Sequence, residues 1–184
     1  MKIVATAIPE VVIIEPKVFG DSRGFFLETF QAERYAALGM RRPFIQDNMS
    51  RSTRGVLRGL HLQYPKAQGK LVMVLRGCVR DVAVDLRAGS PTFAQHVAVE
   101  LSEDNRRQLW VPRGFAHGFV VLSEIADFLY KCDDYYCPAD EIAIRWNDPA
   151  IGIPWDVDAP QLSARDAAAP LLAEMTQLPV YGAI

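Results

Sequence analysis

The chain has three histidines, and two of them sit among glycines in strand-like runs. His61 lies in GVLRGLHLQ and His117 in VPRGFAHGFVV. An imidazole titrates near neutrality, so it can take a proton and return it. Glycines beside a polar strand residue permit bulges and close approach of a ligand. Gly55 and Gly59 precede His61, and Gly114 and Gly118 flank His117. His96 opens an alternating strand and reads as a partly exposed strand residue. Arg51, Arg54 and Arg58 crowd the approach to His61. Arginine grips phosphate in a bidentate fashion. Arg51 and Arg54 read as a solvated face, and Arg58 as the phosphate-side candidate. Lys70 opens the apolar run LVMVL. A cation there can stabilise a developing oxyanion, a contribution of about 3–4 kcal/mol for a well-placed group; the plainer reading is a strand-end charge that snorkels to water. Tyr130 shares a strand face with Ala126, Phe128 and Cys132. A phenol on such a face is a candidate proton donor, or simply an aromatic core residue.

Several chemistries are disfavoured by what is missing from the sequence. There is no G-x-G-x-x-G after a strand and no P-loop, and no G-x-S-x-G elbow or cysteine in a nucleophile context. The spacing G-x5-H-x-Q at Gly55–Gln63, with P-x-G-x2-H at Pro112–His117, resembles the two motifs of cupins. A metal-binding cupin would carry a second histidine where Gln63 stands, and Val121 lies where a further ligand is usual. Too few ligands remain for zinc, iron or manganese. The expectation is a metal-free cupin pocket reused for acid–base chemistry, with a binding-only cupin as the alternative. One base, one phenol and one cation fit proton abstraction beside a carbonyl.

These side chains need a β scaffold, and the pattern supplies one. VVIIEPKVF (11–19) is a β-branched run broken by Pro16, and FFLETF follows the turn GDSRG. QAERYAALGM (31–40) predicts a helix with Gly39 as its C-cap. KLVMVLRGCVRDVAVDLR (70–87) holds two strands around Gly77. In the second, Val82, Val84 and Leu86 alternate with Asp81, Ala83 and Asp85, the period of a half-buried strand. HVAVELS, QLWVP, FAHGFVVLS and IADFLYKC continue the series with short turns between them. This predicts an all-β, cupin-type antiparallel sandwich or jelly-roll barrel, with short helices near the N- and C-termini. Residues 1–184 read as a single domain. Edge strands near the N-terminus would be unpaired in a monomer, which points to a homodimer.

The bulk numbers bound the setting. With 20 basic and 22 acidic side chains the net charge is -2, so a nucleic-acid face is not expected. Three cysteines read as reduced thiols, with Cys132 and Cys137 near enough in sequence to approach each other. MKIVATAIPE has no h-region of a signal peptide, and no apolar stretch suits a membrane helix. A cytoplasmic protein is the expectation.

Taken with their order and spacing, the segments GDSRGFFLETF, QDNMSRSTRGVLRGLHLQ, GKLVMVLRG, VPRGFAHGFVVLSE, YKCDDYY, E-x-x-IRWNDP and LSARD cover nearly the whole chain. In them the chain resembles the dTDP-4-dehydrorhamnose 3,5-epimerase family, a group of dimeric cupins. The resemblance implies conversion of dTDP-4-dehydro-6-deoxy-D-glucose to dTDP-4-dehydro-L-rhamnose, on the route to cell-envelope polysaccharide, with no metal or organic cofactor. By position, His61 matches the base that acts at C3 and C5, and Asp166 the acid that orients it. Tyr130 matches the acid on the opposite face, and Lys70 the residue beside the C4 oxygen. Arg58 and His117 match the lining of the sugar and phosphate site. Arg23, Gln46, Asn48 and Glu141 match further substrate contacts, and Glu28 one supplied by the partner subunit. Phe25 and Tyr136 match packing residues on the nucleoside side.

Two points set this chain apart. Arg165 stands where the family often has lysine; the cation is kept, so a phosphate role is expected to survive. Strict alternation would also place Arg58 and His61 on opposite faces of one strand. If both serve one pocket, a bulge or kink is required near Gly59. A C3-only epimerase or a 3,4-ketoisomerase of another sugar nucleotide is the nearest competing reading; Tyr130 favours the epimerase over the isomerase.

Overall fold

The computed structural model describes residues 1–183. Two antiparallel sheets pack face to face. The first contains β1 (Lys2–Ala5), β2 (Val12–Glu15), β5 (Gln46–Thr53), β7 (Lys70–Arg76), β10 (Gln108–Val111) and β12 (Ile125–Cys132), in the order β1-β2-β10-β7-β12-β5. The second contains β6 (Leu57–Gln63), β8 (Cys78–Asp85), β9 (His96–Ser102), β11 (Phe115–Val121) and β13 (Glu141–Ala143), in the order β13-β6-β11-β8-β9. A separate hairpin joins β3 (Val18–Asp21) to β4 (Gly24–Leu27). The jelly-roll expectation is met. Its turns fall at the predicted glycine and polar clusters, and β9 spans the predicted HVAVELS.

Between the sheets, Val72, Val74 and Phe128 meet Ala83, Phe119 and Val121 in a buried core. The two outer faces are covered differently. Residues 30–44 lie over the first sheet, where Tyr35 and Met40 pack on Ile14, Leu71 and Trp110. The tail lies over the second, where Trp155 and Leu172 pack on Leu62, Val82, Val84 and Ile144. Burying such side chains contributes about 1.5–3 kcal/mol each, so both covers are firmly held.

Three local expectations need adjustment. The helix predicted over 31–40 is regular only over α1 (Ala32–Ala36), with Gln31 capping its start. Gly39 nevertheless ends it as anticipated. It adopts φ +98°, its N–H donates to Ala36 O, and the N–H of Met40 donates back to Tyr35 O. The strand of Asp81 and Asp85 is buried on both faces, not half-buried. Its apolar face lies under the tail, while Asp81 and Asp85 are fully buried facing inward and paired. Finally, β13 at the edge of the second sheet was not foreseen. It is three residues long, too short for a period to register.

Candidate active site

The site begins with an irregularity. Along β11, His117 pairs with His61 and Phe119 with Arg58, so three steps on β6 oppose two on its partner. The extra residue is the bulge expected near Gly59. Gly59 sits at φ +128°, and a Cβ there would lie 2.5 Å from the Cα of Gly118. A Cβ on Gly118 would in turn meet the carbonyl of Arg58 at 2.8 Å. Only two facing glycines allow this approach. The bulge resets the alternation, and Arg58 and His61 now line one cavity of about 550 Å³. Nε of Arg58 donates to Ser52 Oγ at 3.1 Å. Arg51, by contrast, forks onto Asp127 at the surface, as its solvated reading predicts.

Asp166 reaches His61 from 105 residues away in sequence, at 2.6 Å from Nε2. The tail positions it through α2 (Ala164–Ala167), whose N-cap Ser163 accepts the N–H of Asp166 at 3.0 Å. Gln161 pins the tail beside the cavity by backbone bonds to Gly55 and Leu57. Burial pushes the Asp166 carboxyl up, but hydrogen bonds from His61, Ser163 and the Gly59 backbone outweigh it, and the group is held below the usual carboxylate range. An ionised carboxylate only accepts. Nε2 of His61 therefore carries the hydrogen, and Nδ1 is left as the basic nitrogen. A second pair lies one strand over, where His117 Nε2 stands 2.9 Å from Asp81 Oδ2.

The facing wall belongs to the other sheet. Lys70 at the start of β7 and Tyr130 on β12 line the same cavity. Burial draws the Lys70 ammonium below the ordinary lysine value, partly opposed by Cys132, Glu141 and Asp81. Among the described residues no carboxylate forms an ion pair with it. Burial also raises the Tyr130 phenol, so it stays protonated and able to donate. Phe119 and Phe128 stack at 4.2 Å and close the inner end, with His117 stacked on Phe128 at 5.9 Å.

A second, more polar lobe of about 340 Å³ shares His61, Lys70 and Tyr130 and adds Gln46, Asn48, Tyr136 and Glu141. Tyr136 Oη donates to Glu141 Oε2 at 2.8 Å, and its N–H donates to Gln46 Oε1 at 2.9 Å. Arg165 also pairs with Glu141. Burial raises the Glu141 carboxyl, but these two partners hold it low. Arg165 thus stands as a cation at the rim.

Eleven of the fourteen site residues proposed from sequence thus converge on one two-lobed cleft. Arg23, Phe25 and Glu28 do not join them within this chain. Arg23 and Phe25 lie on the β3–β4 hairpin around a separate groove, Arg23 forked onto Asp21, and Glu28 pairs with Arg34. Sequence reasoning missed Asp81 and Ser52, which hold His117 and Arg58. The available signal for Asp81 was an acid in phase with inward-facing residues of its strand. Gln63, at the would-be metal-ligand position, is committed to the backbone of Lys66, Tyr135 and Cys137. Among the described residues no three His, Cys, Asp or Glu side chains converge as a metal site, and the three cysteines are free.

Comparison with known proteins places this chain in a family. The family model for dTDP-4-dehydrorhamnose 3,5-epimerase matches residues 5–174. The dTDP-4-dehydrorhamnose 3,5-epimerase of Salmonella typhimurium is 58% identical over 175 residues, 94% of this chain and 96% of that one. That of Pseudomonas aeruginosa is 54% identical over 181 residues, covering 97% and 100%. A crystal structure of dTDP-6-deoxy-D-glucose-3,5-epimerase from Legionella pneumophila, in complex with dTDP-4-keto-L-rhamnose, superposes with a TM-score of 0.96 at 57% identity, covering 99% of each chain. With the family model spanning most of its length, the chain belongs to the dTDP-4-dehydrorhamnose 3,5-epimerase family.

Proposed function

We propose that this chain epimerises C3 and C5 of dTDP-4-dehydro-6-deoxy-D-glucose to give dTDP-4-dehydro-L-rhamnose. One observation carries the reading: a histidine base on one sheet faces a lysine and a phenol on the other across a single cavity. The C4 ketone acidifies the hydrogens on both neighbouring carbons. Nδ1 of His61 takes such a proton while Asp166 stabilises the imidazolium. The electron pair moves onto the C4 oxygen, where the Lys70 ammonium meets the growing charge. Tyr130 returns a proton from the opposite face, which inverts the carbon. Base and acid on different sheets do what one two-faced residue would do poorly. Each positioned proton carrier contributes about 10²–10⁴ in rate.

Arg58, His117 and Arg165 serve the sugar and phosphates in this reading, and Gln46, Asn48, Tyr136 and Glu141 the nucleoside side. Phe19, Phe25, Phe26 and Met49 are exposed apolar side chains. Together with the remote Arg23, Phe25 and Glu28, they support a homodimer in which each hairpin completes its partner's cleft. Among the described residues no helix is long and apolar enough to cross a membrane.

The test is incubation with the 4-keto sugar nucleotide in D2O, followed by NMR. Deuterium at both C3 and C5 is expected. Deuterium at C3 alone would replace the reading with a C3-only epimerase, and binding without exchange would remove enzymatic activity altogether.

A further inference from the structure

The inward face of β5 carries a row of polar side chains: Gln46, Asn48, Ser50 and Ser52. Such a row is unusual opposite a core face, because β5 pairs with β12, where the facing residues are Cys132, Tyr130, Phe128 and Ala126. Gln46 and Asn48 face the nucleoside-side lobe, and Gln46 bonds Asn48 at 3.1 Å. Ser52 accepts from Arg58. Ser50 differs from the rest. It lines the larger cavity along with Phe128 and Arg58, its oxygen is shielded from solvent, and it has no hydrogen-bond partner among the described residues. A buried hydroxyl without a partner is destabilising, and such groups persist mainly where something else uses them. Donation to a ligand in the cavity would need only a turn of χ1 between staggered positions.

We propose that Ser50 is a further substrate-binding residue, donating to the same diphosphate that Arg58 grips, and that Ser52 is the positioning residue that aims Arg58 at it. This rests on the sugar-nucleotide reading above. Residues two apart on a strand face lie about 7 Å from each other. Ser50 and the guanidinium anchored at Ser52 can therefore converge on one anionic group from neighbouring positions. A hydroxyl that donates to an anion makes a charge-assisted bond, stronger than a neutral one. The unsatisfied oxygen of the free protein then becomes a satisfied one in the complex.

The experiment measures calorimetric binding of dTDP, which carries the diphosphate without the sugar, together with thermal melting of the free proteins. For Ser50→Ala we expect binding weaker by about tenfold or more, the loss of one hydrogen bond to a charged group. Its melting temperature should be unchanged or raised, since only an unpartnered hydroxyl is removed. Ser52→Ala should also weaken dTDP, and should raise KM by more than it lowers kcat. Wild-type affinity for dTDP in Ser50→Ala would overturn the proposal while leaving the epimerase reading intact. A lowered melting temperature in that variant would overturn it as well, because Ser50 would then be structural. Failure of the wild type to bind dTDP would overturn the epimerase reading and the proposal together.

Discussion

Two histidine–aspartate pairs stand side by side on adjacent strands, His61 with Asp166 and His117 with Asp81, and the two rings are register partners across β6 and β11. Their local chemistry is alike; their settings are not. The His61 side chain is 28% exposed, and its acid arrives on the tail helix. The His117 side chain is 8% exposed, stacks on Phe128, and takes its acid from the neighbouring strand of the same sheet. The comparison teaches that pairing alone does not make a base. A base needs a nitrogen open to the cavity and a partner whose main duty is orientation; the more buried pair of the same composition lines the cavity and serves binding.

The largest effect should come from breaking the exposed pair. His61→Asn is expected to slow exchange of the C3 and C5 hydrogens by about 10²–10⁴, read by deuterium uptake; His117→Asn should retain exchange and raise KM. If the two variants lost exchange equally, the comparison would collapse. Asp166→Asn should lower kcat by about 10²-fold or more, because the amide lacks the charge that stabilises the imidazolium and can favour the wrong tautomer, with little change in binding of dTDP. Tyr130→Phe should let His61 go on exchanging a proton with solvent while net product formation falls by about 10²-fold, so exchange and turnover part company. The stability ranking should be reversed. Asp81→Ala removes one member of a fully buried pair and should lower unfolding free energy by about 3 kcal/mol in urea titration, more than Asp166→Ala does.

The smallest expected effect is on pH. The Lys70 ammonium is held below its ordinary value of 10.5 by burial. Its protonated fraction, and with it kcat, should decline from a lower pH than for a free lysine. Stability moves the other way across that window, rising with pH, because there the unfolded chain binds more protons than the folded one. Asp166, also held below its ordinary value, gives a slope of the same sign in the acid range. Its stabilisation is present above the unfolded carboxylate value and is lost as pH falls through the lower folded one. A kcat profile beside a urea series at matched pH checks both windows.

The conflict between Arg58 and His61 was visible as a phase error in a period-2 pattern, and Gly59 was the only residue near it able to absorb the correction. That made the bulge legible. The jelly-roll class followed from the regular spacing of turns; the order of strands within each sheet did not. Asp81 was less legible, because alternation reports which residues share a face and not whether water reaches that face. The tail covers the other side of its strand, and covering is a long-range event. Arg23, Phe25 and Glu28 had recognisable types, but their place depends on where a hairpin stands relative to a cleft it does not line within the chain. The Schellman turn at Gly39 shows the reverse case, a local bonding pattern fully determined by one residue.

The tail that delivers Asp166 also sets a schedule. Synthesis runs from the N-terminus, so His61, Lys70 and Tyr130 emerge well before their orienting acid, which trails His61 by 105 residues. A nascent chain halted before residue 166 would hold the cation, the phenol and an unaimed imidazole, and its second sheet would lack Leu172 from its cover. Proton abstraction at its full rate in this fold thus waits until nearly all of the described chain has been made, and the element that aims the base is also one that shields the sheet from water.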